Sequence, residues 1–210
     1  MSLSSKQTIV DKVIDVELKN EIGDFLMGAY QISDNNNISE VIIIYFGSID
    51  MVKNVRINSA CYTADIFGCK RCDCNEQLKS TLTYFKKEKN GLLLYLLNQD
   101  GMGNGTVKKL KSLKKMDEEV CSTYEAYKKI NCIPDLRNYS SVVTILKDLK
   151  INEVNLITNN PNKVEFLLSN GINVKSRIPC VSKNKKIIQY LINKKRDFNH
   201  IIELGSNKYD

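Results

Sequence analysis

A single histidine, His200, stands in the chain's 210 residues, and this scarcity narrows the available chemistry. Histidine-assisted proton transfer is not expected, so a general base must be a carboxylate, tyrosine, lysine or a bound hydroxide. Long apolar runs are also missing. The longest, Val41–Phe46 and Leu92–Leu97, have strand length and are far too short to span a bilayer. Met1 to Asp15 lacks the apolar stretch of a signal peptide, which makes a cytoplasmic location the expectation. No Pro-, Gly- or Ser-rich linker and no repeat period divides the sequence, so a single domain over 1–210 is expected. No aromatic residues interleave the lysine clusters, and nucleic acid is accordingly not an expected partner.

What is present points to a folded, phosphate-seeking protein. Hydrophobic residues make up 42%, enough for a proper core. The net charge of +7 comes from 31 basic against 24 acidic residues, with clusters at Lys108 to Lys115 and Lys183 to Lys195. Such a field attracts phosphate-bearing partners, although a solvated helix face reads from the same residues. The seven cysteines are odd in number and three crowd between Cys69 and Cys74. In a chain without a secretion signal, that clustering favours metal ligation over disulfides.

Periodicity gives an α/β or α+β core, a mixed sheet with flanking helices. Val41–Phe46 reads as a buried strand and Val52–Ile57 as a second with partial alternation. Leu78, Leu82 and Phe85 form the stripe of a helix after Cys74, with Gly91 expected at its C′ position. Leu92–Leu97 is a further strand, followed by a glycine-rich turn at Gly101-Met102-Gly103-Asn104-Gly105 and a lysine-rich helix. Tyr139–Leu149 carries Val142, Val143, Leu146 and Leu149 on one helical face. Val154–Thr158 is a strand, Asn159-Asn160-Pro161 a turn into a helix from about Asn162, Ile172–Pro179 extended, and Ile187–Asn193 helical.

The strongest chemical signal lies between Cys61 and Cys74. Cys72 and Cys74 flank one residue, so extended backbone would aim both sulfurs to one side, and Cys61 can supply a third. Three protein ligands leave a coordination position open, as catalytic zinc requires. A four-thiolate structural site including Cys69, or plain buried thiols, reads from the same spacing. At Thr158-Asn159-Asn160-Pro161-Asn162-Lys163 a strand runs into a capped helix whose free N–H groups, with Lys163, suit phosphate; an ordinary strand–turn–helix joint is the plainer reading. Asp135 and Arg137 fall at an expected helix start, where by themselves they read as a cap and a surface charge.

Together these segments carry a resemblance. Arg71-Cys72-Asp73-Cys74 with Gln77-Leu78, Asp135-Leu136-Arg137-Asn138-Tyr139, and Leu156-Ile157-Thr158-Asn159-Asn160-Pro161-Asn162-Lys163-Val164-Glu165 followed by Gly171-Ile172-Asn173-Val174 resemble GTP cyclohydrolase II. The likeness runs from Gly23-Asp24-Phe25-Leu26-Met27 to Arg177-Ile178-Pro179. It implies one zinc ion on Cys61, Cys72 and Cys74, with Cys69 a non-ligand. It implies opening of the guanine imidazole ring of GTP, with loss of formate and of pyrophosphate, magnesium assisting at the phosphates. By resemblance Asp135 is the proton acceptor and Arg137 a nucleophile towards the α-phosphate. A guanidinium is a poor nucleophile, so a bidentate phosphate clamp is the physical alternative for Arg137. Arg56, Ser59, Gln77, Asp100, Gly101, Thr123, Thr158 and Lys163 fall at substrate-binding positions, and the family suggests a homodimer.

The chain also departs from the family pattern. Arg56-Ile57-Asn58-Ser59-Ala60-Cys61 has lost a histidine and a glutamate. Asp100-Gly101-Met102 shortens one carboxylate and removes one cation, and the family's ring-opening tyrosine is missing near Leu113. The retained cysteines, Asp135, Arg137, Gln77, Thr158 and Lys163 fit a paralogue acting on another nucleotide, or a lapsed nucleotide-binding protein, as well as the GTP enzyme.

Overall fold

The computed structural model describes residues 7–19, 21–34, 37–180 and 188–202. Seven strands join in one sheet ordered β1-β2-β3-β5-β4-β6-β7. They are β1 (Thr8–Leu18), β2 (Phe25–Asp34), β3 (Asn37–Phe46), β4 (Asn54–Ser59), β5 (Gly91–Leu96), β6 (Glu153–Ile157) and β7 (Asn173–Ile178). Strands β1, β2, β3 and β5 pair antiparallel, whereas β4 pairs parallel with β5 and β6, and β6 with β7. The mixed α/β architecture is the one read from the sequence.

Strand β5 is central and buried at five of its six positions, which explains its near-continuous leucine run. On one sheet face Ile43, Val55, Leu92 and Leu94 pack under Val142, Ile145 and Leu146 of α5 (Ser140–Asp148) and Leu167 of α6 (Pro161–Ser169). The other face seats Phe46 and Leu93 against Leu82 and Phe85 of α2 (Cys74–Glu88). The remaining helices are α1 (Tyr62–Asp65), α3 (Gly105–Glu118), α4 (Thr123–Lys129) and α7 (Ile188–Phe198).

Several expected boundaries move. The second strand is Asn54–Ser59 rather than Val52–Ile57, so its end delivers Cys61 directly. Gly91 is not the C′ residue of α2: Lys89 takes the left-handed conformation at φ 48°, and Gly91 opens β5. A Cβ on Gly91 would lie 2.0 Å from the Phe85 ring, so close packing requires the glycine. Cys72 and Cys74 do not lie on extended backbone; Asp73 caps α2 and Cys74 is its first residue. Asp135 and Arg137 sit in the loop before α5, not at its start. Helix α7 runs to Phe198, further than expected, while Ile187 and the lysines at 183–186 lie outside the described residues.

Strands β1 and β2 had no counterpart in the periodicity. Register shifts at Ile9/Asp11 and Val13/Val16 break the alternation of β1, and most of its residues are exposed at the sheet edge.

Candidate functional site

Chain geometry at the C-terminal ends of β4 and β5 brings the cysteines together. Cys61 leaves β4 as the residue before α1, and its N–H donates to Asp65 Oδ2 at 3.0 Å. The α2 start carries Cys74, and the bend before it carries Cys72. The sulfurs of Cys61, Cys72 and Cys74 all lie within 4.8 Å of one another, and Cys61 and Cys72 are 3.7 Å apart. Zn–S bonds of about 2.3 Å at tetrahedral angles place sulfurs about 3.8 Å apart, so the donor set fits zinc. Cys69 lines the same cavity but is not part of this cluster.

The cluster is electrostatically prepared. Hydrogen bonds from Cys72 and Cys74, with the Lys109 ammonium beside it, hold the Cys61 thiol far below its usual range despite burial. Cys72 is correspondingly pushed up to about 12 by its hydrogen bond to Cys61, and Cys74 is raised as well. Negative charge in the cluster is thus favoured at Cys61, beside Lys109.

A polar ladder leads away from the cysteine cluster. Asp73, 1% exposed, accepts from Lys194 Nζ at 2.8 Å and from Gln77 Nε2 at 2.5 Å. Gln77 Oε1 then accepts from Arg56 Nη2 at 2.6 Å, and Arg56 Nη1 donates to the Ile157 carbonyl at 3.2 Å. The Arg56 Nε–H is buried without a hydrogen-bond partner among the described residues. The Ser59 hydroxyl donates to Gln99 at 2.7 Å.

Cations gather at the start of α6. Asn160 caps that helix by accepting from the Asn162 N–H at 3.0 Å, Pro161 takes the first turn, and Thr158 Oγ1 accepts from the Asn160 N–H at 3.0 Å. Lys163, 6% exposed, donates to the Ile57 carbonyl at 2.8 Å. Burial, then the charges of Arg56, Arg137 and Lys194, push its pKa well down. An anion placed among these four groups would relieve that repulsion. Arg137 is clamped by Asp135 through Nε at 2.8 Å and Nη2 at 2.5 Å. Burial opposes the guanidinium charge, yet Tyr139 and Asp135 hold its pKa above the usual arginine value.

One cavity collects Arg56, Ser59, Gln77, Gly101, Thr123, Arg137, Thr158 and Lys163 with the three cysteines. Two expected site residues lie elsewhere. The Asp100 carboxylate is spent inside the fold, accepting from Lys109 at 2.6 Å, Thr106 at 2.6 Å and the Tyr62 N–H at 3.3 Å. Asp135 faces a neighbouring cleft with Asn162 and Phe166. The cavity wall also includes residues that sequence reasoning missed: Lys109, Tyr190, Lys194 and His200. His200 Nε2 is buried without a hydrogen-bond partner among the described residues, and the Ile201 N–H ties this segment to the Asn159 carbonyl at 2.8 Å. Only the lysine clusters hinted at the first and third; nothing local placed α7 over the cysteines. Asn58, Ala60, Met102 and Leu113, the departures noted above, line the cavity too.

The fold and cavity define a mixed α/β domain with a cluster of three cysteine sulfurs that could hold a metal ion, beside a group of buried basic side chains. The sequence pattern of GTP cyclohydrolase II matches residues 11–179, and the chain belongs to that family. Its relatives include the riboflavin biosynthesis protein RibBA of Bacillus subtilis, 36% identical over 194 residues, covering 89% of this chain and 48% of that protein. RibBA of Staphylococcus saprophyticus is 37% identical over 92% of this chain and 48% of its own. RibBA of Endomicrobium trichonymphae is 33% identical over 94% and 49%. The chain therefore spans about half the length of these relatives. Among the described residues no helix is long and apolar enough to cross a membrane.

Proposed function

We propose that the chain is a zinc-dependent hydrolase that opens the purine ring of a nucleotide, GTP first among candidates, for riboflavin biosynthesis. The observation that carries this reading is the meeting, in one cavity, of the cysteine cluster with Arg56, Arg137, Lys163 and the α6 N-terminus. Such a cavity can hold a base at one end and a polyphosphate at the other.

Cys61, Cys72 and Cys74 would hold the zinc, which when bound would supply the Lewis acidity that turns water into a nucleophile towards the ring carbon. Lys163 and Arg137, gathered at the start of α6, bind and orient the phosphates, with magnesium accompanying them. Arg137, held strongly protonated by Asp135, acts as the phosphate clamp rather than as a nucleophile. Asp135 orients it through that two-point contact from the neighbouring cleft. Arg56 and Gln77, fixed by Asp73, position the nucleotide between metal and phosphate ends, Ser59 and Thr158 adding hydroxyl contacts. Helix α7 lays Tyr190 and Lys194 over the cavity and limits water. We propose a single domain over 1–210 that works as a homodimer.

A second reading is favoured by Asn58 and Ala60, each 4% exposed at the cavity wall, together with Met102 and Leu113. These residues change the polarity where the family binds its base, which suits another nucleotide. Zinc-loaded protein incubated with GTP and a nucleotide panel separates the readings by formate release and product mass. Formate from GTP supports the first; turnover of another nucleotide alone supports the second; stoichiometric zinc with no product from any nucleotide removes both.

A further inference from the structure

Lys109 occupies an unusual place for a residue of a lysine-rich helix. Its ammonium lies 3.2 Å from Cys61 Sγ and 2.6 Å from Asp100 Oδ1, and its side chain is 13% exposed. Asp100 is fixed in turn by Thr106 and the Tyr62 N–H, so the lysine cannot swing away without leaving a buried carboxylate short of its counter-charge. Gly101 makes the approach possible: a Cβ there would meet Lys109 Cβ at 3.0 Å, and its φ is 62°.

We propose that Lys109, anchored by Asp100, is a positioning residue for the metal centre: it hydrogen-bonds the Cys61 sulfur and cancels one unit of the ligands' negative charge. The proposal rests on the metal reading given above. A divalent ion among three thiolates carries a net negative charge, and each thiolate donates electron density that weakens the ion as a Lewis acid. An N–H···S bond draws density back, and a cation at this distance restores neutrality. Lys194 serves differently, because its partner is the Asp73 carboxylate rather than a sulfur. The shortened carboxylate at position 100 thereby acquires a function remote from the nucleotide.

The test uses the full chain loaded with zinc or cobalt(II), as Lys109→Met, Lys109→Arg, and the double variant Lys109→Met/Asp100→Asn. The double variant removes the carboxylate that the single one strands, so it stays interpretable if Lys109→Met folds poorly. In the cobalt form, loss of the hydrogen bond is expected to move the sulfur-to-metal charge-transfer band to lower energy. In the zinc form kcat is expected to fall about 10-fold or more, with KM nearly unchanged, as for other second-layer contacts to metal ligands. Lys109→Arg is expected to recover the band position and part of kcat. A folded, metal-replete double variant with band and kcat unmoved would overturn the proposal. So would a rise in KM alone, which would make Lys109 a phosphate contact. Failure of the unaltered protein to retain metal would instead sink the metal reading and this inference with it.

Discussion

The ammonium of Lys194 lies 2.8 Å from the carboxylate of Asp73, across 121 positions of sequence. Asp73 sits between Cys72 and Cys74 at the N-cap position of α2; Lys194 sits on α7. This contact fastens α7 to the cysteine loop. Burial raises the Asp73 pKa, but Lys194 and Gln77 more than offset that and hold it below the ordinary carboxylate value. A depressed carboxylate contributes stability above its unfolded pKa of about 3.9 that is lost as pH falls through its folded value. Lys194→Met should cost about 3–5 kcal/mol by stranding a buried charge. Lys194→Met/Asp73→Asn should recover much of it. Chemical denaturation of both variants checks this; equal losses would mean the pair is incidental.

Metal uptake should follow the thiol states. With Cys61 already a thiolate and Cys72 and Cys74 protonated, zinc loading near neutral pH should release about two protons per chain. A lightly buffered titration with a pH indicator measures it. Cys74→Ser should lose zinc retention and turnover together, because two thiolates hold the ion weakly. Turnover in a zinc-free Cys74→Ser protein would contradict the metal reading.

Lys163→Ala should raise KM for a nucleoside triphosphate by about 10–100-fold, the scale of a lost charge-assisted bond of about 1.5–3 kcal/mol. The folded variant should bind inorganic triphosphate more weakly by a similar factor. Unchanged KM and unchanged triphosphate affinity would place Lys163 outside the site.

His200 supplies a pH signature. Burial, then Lys194, Arg137 and Lys163, lower its pKa to about 3, against about 6.5 in an unfolded chain. The unfolded state therefore binds the extra proton between those values. Stability from this group is complete above about pH 6.5 and falls with pH below it, by at most about 1.4 kcal/mol per unit. His200→Gln should flatten that dependence. Parallel urea unfolding at pH 7 and pH 5 reads the difference, and identical slopes for both proteins would exclude it.

The sequence by itself determined the buried strands β3 and β5, the α2 stripe of Leu78, Leu82 and Phe85, and the α6 cap. Each is a short-range pattern whose apolar period or cap chemistry is complete within a few residues. It also marked Cys61, Cys72 and Cys74, because their spacing is a local property. Tertiary structure alone decided the rest. The bulged edge strand β1 hid its alternation, Asp100 turned inward to Lys109, and Asp135 turned to the neighbouring cleft. Tyr190, Lys194 and His200 reached the cavity only because α7 folds back over the ends of β4 and β5. The Lys194–Asp73 contact joins residues 121 positions apart, and no period or cap along the chain encodes it or the turn of Asp100 towards Lys109. They follow from burying two faces of one sheet, which brings distant charges close enough to reset one another's protonation.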